Sequence, residues 1–192
     1  MNRVVSNSEL LLVRHTAVAE QYRNVCYGAS DVELSPAGKL HAERIAIELA
    51  ARPVAKIIHS GLQRARYLAE LLADRMSLPL EEKPNFRERN FGSWELRPWE
   101  EIYKETGDEM MKIISDPDSY RPGGAETTTE FSERVRCAVA EIDSPGLTVV
   151  IAHGGPISAL RGLQENRPIA DWLELIPAHG QCIPYAISNG GG

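Results

Sequence analysis

A chain of 192 residues, 43% of them apolar and 25% charged, can bury the core of one globular domain with a modest insertion, and such a composition excludes a disordered or fibrous protein. The net charge of −6 argues against a general binder of nucleic acid or of anionic membranes, so an anionic ligand has to be held by a local group of cations. Three scattered cysteines, Cys26, Cys137 and Cys182, form neither a disulfide framework nor a zinc pair and read as free thiols in a reducing compartment. Met1 to Ser8 is polar and the apolar run after it is too short for a secretory core or a membrane span, so the expectation is a cytoplasmic protein.

The first element is Leu11-Leu12-Val13-Arg14-His15-Thr16, an apolar run of the kind buried on both sheet faces that ends abruptly in an arginine and a histidine. A polar loop, Ala17 to Glu33, follows. Ser35-Pro36 then marks a helix start, with Ala42, Ile45, Ala46 and Leu49 in one stripe and Arg52-Pro53 as the stop. Lys56-Ile57-Ile58 reads as a second strand ending in His59-Ser60, and a helix with Ala65, Leu68, Ala69, Leu72 and Met76 on its buried face comes next. From Leu80 to Gly124 the pattern is irregular, with short helices expected near Pro98–Tyr103 and Met110–Ile114 and turns at Pro117, Pro122, Gly123 and Gly124. Phe131, Val135, Ala138, Val139 and Ile142 set another helix. Thr148-Val149-Val150-Ile151-Ala152 is the most β-prone run and ends in His153-Gly154-Gly155. A helix starting near Pro156 and a last strand within Cys182–Ile187 complete the chain.

This alternation predicts a three-layer α/β/α sandwich with a mostly parallel central sheet, one domain over 1–192, an irregular helical insert at about 80–124 and a frayed tail at 188–192. Ligands of such sheets collect at the carboxyl ends of the strands. Three predicted strands end as Val13-Arg14-His15, Ile58-His59-Ser60 and Ala152-His153-Gly154, and Arg64 falls in the first helical turn after the second of them. Parallel strands bring these ends together. Two arginines and two or three histidines in one cleft suit a compact dianion, with a phosphoryl group the obvious candidate.

Leu-Val-Arg-His (12–15), Ser-x-Leu-x-Arg (60–64), Arg-Glu-Arg-x-Phe-Gly (87–92) and Val-Ile-Ala-His-Gly-Gly (150–155) resemble, in order and spacing, the phosphoglycerate-mutase-like branch of the histidine phosphatase superfamily. With Leu-Ser-Pro-x-Gly at Leu34, the likeness covers about residues 9 to 162. The resemblance implies His15 as nucleophile, Arg14, Arg64 and His153 as clamps on the phosphoryl oxygens, and Glu88 as general acid and then base. It also implies no metal and no cofactor, and a small phosphorylated metabolite as the partner, with a homodimer left open. The expected phosphate shell is Arg14, His15, Arg64 and His153, joined by Gly154 at a helix start and by Thr16.

Thr16 stands where the family usually has glycine; it either adds a hydroxyl to the shell or narrows the pocket. Arg-His-Thr with Tyr27-Gly28-Ala29-Ser30-Asp31-Val32 is similar to the α-ribazole phosphatase group. The polar residue usual after the nucleophile motif is not evident in Ala17-Val18-Ala19. His59 reads as a packing residue, with site membership as its alternative. Glu95 competes with Glu88 for the acid role. Arg87 and Arg89 read as rim charges, Trp94 and Trp99 as insert core or substrate wall, His41 as a surface histidine, and His179 as unrelated to the chemistry. A phosphomonoester hydrolase is expected. A phosphoglycerate-type mutase, a zinc enzyme using His15, His59, His153 and Glu88, and a non-catalytic phosphate-binding module are its alternatives.

Overall fold

A computed structural model describes residues 9–143 and 146–187. The polar start Met1–Ser8 and the glycine-ended tail, 188–192, lie outside these residues. The central sheet holds five strands: β1 (Glu9–Arg14), β3 (Val54–His59), β4 (Leu80–Glu82), β6 (Leu147–Ala152) and β7 (Cys182–Ala186). Their order is β4-β3-β6-β1-β7, parallel throughout except for β7, which runs antiparallel to β1. Leu80–Glu82, placed in the insert by the sequence pattern, is instead an edge strand of this sheet. Its three residues are too few and too polar to show a period.

Helices cover both faces, as expected of parallel strands buried on two sides. On one face α1 (Pro36–Ala50) and α2 (Gln63–Met76) pack over Leu11, Val13, Ile57, Val149 and Ile151. On the other, α5 (Thr128–Ala140) and α6 (Gly154–Gln164) pack over Leu10, Leu12, Ile58, Val150 and Ala152. The alternation along β1 therefore feeds two cores from one strand. Local signals fix the helix starts. Ser35 accepts the Gly38 amide at 2.9 Å with Pro36 at the first helical position, and Thr127 and Glu130 form a reciprocal capping box. The last helix begins at Gly154, earlier than near Pro156, with His153 as its N-cap residue.

The insert has its own small core, in which Cys26, Trp94 and Ile102 are surrounded by Phe91, Trp99, Met110, Ile113 and Tyr120. Helices α3 (Trp99–Thr106) and α4 (Lys112–Ser115) belong to it. A two-stranded ribbon, β2 (Val25–Cys26) with β5 (Arg97–Pro98), ties the loop after β1 to this insert. Elements this short are set by tertiary contact.

Gly38 explains the Leu-Ser-Pro-x-Gly run. The Ala17 carbonyl accepts the Ser35 amide at 3.0 Å, and a Cβ on Gly38 would lie 2.1 Å from that same oxygen. Only a bare backbone lets α1 press against the segment that follows His15. Gly38→Ala is expected to cost about 1–3 kcal/mol of stability through this overpacking, read as a lowered urea midpoint at unchanged slope. A midpoint equal to wild type would show that the segment yields freely.

Candidate active site

His15 is the first residue past β1, and its amide bonds the Ala152 carbonyl at 3.0 Å, so the β1 and β6 ends are locked side by side. Its ring is buried. Nδ1 lies 2.7 Å from the Thr16 carbonyl oxygen, which can only accept, so Nδ1 carries the proton and Nε2 keeps its lone pair. Burial, the positive charges of Arg64 and Arg14, and the neighbouring His179 hold the His15 pKa well below the usual histidine range. His15 is therefore a neutral imidazole of defined tautomer.

Two guanidinium groups flank it. Arg64, in the first turn of α2, is fully buried, and its Nη1 and Nη2 donate to the carbonyls of Ser30 (2.7 Å) and Gly28 (2.6 Å). Arg14 donates from Nη1 to the Pro177 carbonyl at 2.7 Å. Gly154 leaves room for it: a Cβ there would sit 3.3 Å from the Arg14 guanidinium carbon. In both arginines Nε is buried without a partner among the described residues, as are Thr16 Oγ1 and His153 Nδ1. Native interiors rarely leave such atoms unsatisfied, and four of them gathered at the ends of neighbouring strands and the first turn of α2 single this edge out as polar and under-satisfied.

His153 caps α6 with its ring centroid 5.1 Å from that of His15, and its Nε2 shares a 2.7 Å hydrogen bond with Ser60 Oγ. Burial, with Arg64 next, lowers its pKa well below the ordinary value. Glu88 accepts the Gly155 amide at 3.0 Å and the Arg89 amide at 2.9 Å, placing a half-buried carboxylate at the start of α6. A Cβ on Gly155 would come within 2.2 Å of Glu88 Oε1, so the second glycine of His-Gly-Gly is what admits the carboxylate. The structure thus brings Arg14, His15, Thr16, Arg64, Glu88, His153 and Gly154 to one edge of the sheet.

The remaining residues singled out in the sequence divide between those that match their readings, such as His59 and Arg87, and those that depart from them. Glu95 is turned to the loop after β1 rather than to His15: its oxygens accept the amides of Ala29 and Phe91, each at 3.0 Å, and the hydroxyl of Ser30. Those bonds fix the loop whose carbonyls hold Arg64. His59 is buried, and its Nδ1 accepts the Gly61 amide at 3.0 Å, shaping the turn that carries Ser60. Arg89, read as a rim charge, is buried between the rings of Phe91 and Phe131 and bonds Thr128; Arg87 is exposed, as read. No group of three His, Cys, Asp or Glu side chains among the described residues is arranged to hold a metal ion.

His179 corrects its sequence reading most. Its ring centroid lies 5.3 Å from that of His15, and the amide of Gly180 beside it bonds the His15 carbonyl at 3.2 Å. No local signal marks it, because a histidine after a loop proline gains meaning only once the loop folds back over β1. Tyr27 also joins the centre, with its ring 5.1 Å from the Arg64 guanidinium and its hydroxyl beside Arg14. From these two residues a cleft of about 370 Å³ opens along the loop after β1 and ends at Trp99.

Residues 10–191 match the sequence profile of the Histidine phosphatase superfamily (branch 1). A glucosyl-3-phosphoglycerate phosphatase of Mycobacterium tuberculosis is 29% identical over 177 residues, covering 86% of this chain and 79% of that protein. An adenosylcobalamin/alpha-ribazole phosphatase of Salmonella typhimurium is 25% identical over 154 residues, covering 79% and 76%. Among solved structures, the mycobacterial glucosyl-3-phosphoglycerate phosphatase superposes with a TM-score of 0.80 at 26% identity, covering 92% of this chain and 89% of that one.

The neutral imidazoles make stability depend on pH in a fixed direction. His15, His153 and His179, the last lowered to about 4, and in the same sense His59, bind protons less readily folded than unfolded. Their contribution is complete above the unfolded histidine value of about 6.5 and falls as acid protonates the unfolded chain first. The urea midpoint is expected to drop already between about pH 6.5 and 5, above the range of ordinary carboxylates, and to drop less in His179→Asn. A flat midpoint over that interval would contradict the buried neutral rings.

Proposed function

The chain belongs to the histidine phosphatase superfamily and is an enzyme of the phosphatase type, and from that premise we propose that it hydrolyses small phosphomonoesters through a phosphohistidine on His15. The observation that carries this reading is the His15 ring itself, with Nδ1 tied to the Thr16 carbonyl and Nε2 left with its lone pair among unpartnered donors. In the first step Nε2 attacks phosphorus, the ester P–O bond breaks, and Glu88 gives its proton to the departing alkoxide. In the second, Glu88 takes a proton from water, whose oxygen attacks the phosphohistidine; the P–N bond breaks and phosphate leaves with His15 neutral again.

Charge shifts onto the non-bridging oxygens in both steps. Arg14 and Arg64 supply their Nε groups, Thr16 its hydroxyl and His153 its Nδ1. Gly154 adds its amide, which at the first position of α6 has no intrahelical acceptor. In this scheme Ser60 is the donor to His153 Nε2, and His153 Nδ1 then carries the hydrogen it donates. The two guanidinium groups provide the positive charge that a divalent ion brings to other phosphatases, and neither step calls on a metal or an organic cofactor. Thr16 thereby takes its place in the phosphate shell, and α-ribazole 5′-phosphate is one candidate among small esters.

Three proteins test the scheme on an alkyl phosphate in the presence of a chelator. His15→Ala is expected to lose at least about 10³-fold in kcat. Glu88→Gln should lose about 10²–10⁴-fold, and much less on an aryl phosphate whose leaving group needs no proton. Wild type is expected to yield an acid-labile, alkali-stable label that His15→Ala lacks. Activity abolished by the chelator and restored by zinc, or turnover surviving in His15→Ala, would overturn the proposal.

A further inference from the structure

We propose that the cleft beside His15 seats the alcohol half of the substrate and selects an uncharged, ring-bearing alcohol over a carboxylated one, an inference that rests on the centre being a phosphate site. The cleft adjoins that centre: Tyr27 and His179 line it, and their rings also lie against Arg64 and His15. Its walls include three aromatic rings: Tyr22, Tyr27 and Trp99. Each is fixed from outside the cleft or by a neighbour. Tyr22 meets Tyr27 edge-on at 6.4 Å and bonds Glu33 through its hydroxyl at 2.9 Å, while Trp99 stands at 89° to Phe91, 5.4 Å away. Rings held in this way offer flat apolar faces with little rotamer freedom left to lose on binding.

The charges of the cleft point the same way. Its charged lining residues are Glu20 and Arg23, paired with each other at 3.1 Å on the exposed rim, so the cleft adds no net charge. The cations deeper in, Arg14 and Arg64, flank His15 and face the phosphoryl group. A carboxylate on the alcohol would therefore leave water for aromatic faces where the one lining cation, Arg23, is already paired with Glu20, against an overall charge of −6. His179 does not fill that role, since burial and the nearby Arg14 lower it to about 4 and keep its imidazole neutral. Its Nε2 is buried without a partner among the described residues and suits a hydroxyl on the alcohol instead.

Calorimetry with two phosphonates tests this without relying on turnover. Benzylphosphonate is expected to bind the wild-type protein about tenfold or more tightly than 3-phosphonopropionate. Trp99→Ala should bring that ratio close to one. Glu20→Lys, a change on the exposed rim that touches no core, frees Arg23 and should favour the carboxylated ligand several-fold. Equal or tighter binding of 3-phosphonopropionate by wild type, binding of neither ligand, or a ratio indifferent to both substitutions would overturn the inference. A protein that binds benzylphosphonate with this preference yet cleaves no ester refutes the hydrolytic scheme and leaves the selectivity standing. One that cleaves esters without the preference does the reverse.

Discussion

Arg64 carries the strain of this site. A guanidinium group with no exposure to water is expensive to bury, and the groups that take up its two terminal nitrogens are carbonyls of a loop rather than a carboxylate. Neutral acceptors satisfy the N–H groups but leave the positive charge in place. Glu88, Tyr27, Asp31 and Glu95 act on that charge from around it, and burial still draws the Arg64 pKa down. The result is a standing positive potential beside His15. Burial first, and this potential next, keep His15 and His153 neutral.

The architecture around the centre serves to hold that arginine. The loop that supplies the carbonyls of Gly28 and Ser30 is fastened from behind by Glu95, and Glu95 is positioned by the insert. A Cβ on Gly28 would approach the Arg89 carbonyl to 2.6 Å, so the loop lies directly against the Arg-Glu-Arg segment that carries Glu88. Loop and insert are also stitched by the β2–β5 ribbon and the small core around Cys26, Trp94 and Ile102. The insert thus has two jobs in one body. It supports the anion centre through Glu95 and Glu88, and it supplies Trp99 to the cleft.

Rigid support from the sheet has the same purpose. Arg14 and His15 continue β1, Ser60 continues β3, and His153 continues β6, three neighbouring strands whose ends are level because Arg14 pairs with Ala152 and His59 with Ile151. Side chains set on such strand ends vary little in position, which suits a reaction that needs an imidazole nitrogen in line with a phosphorus atom. Glycine contributes at the points of closest approach: Gly38 beneath the segment after His15, and Gly155 beneath Glu88.

Much of this was legible from sequence because the signals are local. The apolar run ending in Arg14-His15, the Ser35-Pro36 start, the helical stripe of α2 and the β-branched run before His153 each declare their structure within a few residues. Parallel strands then oblige their polar ends to meet. Glu88 was legible only through its family resemblance, since no periodicity marks Phe86–Glu95. What the tertiary structure alone decided are the contacts between segments far apart in the chain. His179 beside His15, Tyr27 under Arg64, Glu95 spent on a loop and Arg89 buried between two rings all depend on how the insert and the 177–181 loop fold back over the sheet. The sequence by itself determined which strands end in arginine and histidine, and hence at which sheet edge those side chains gather. Folding decided which neighbours each ionisable group would have, and those neighbours set its charge and its freedom to react.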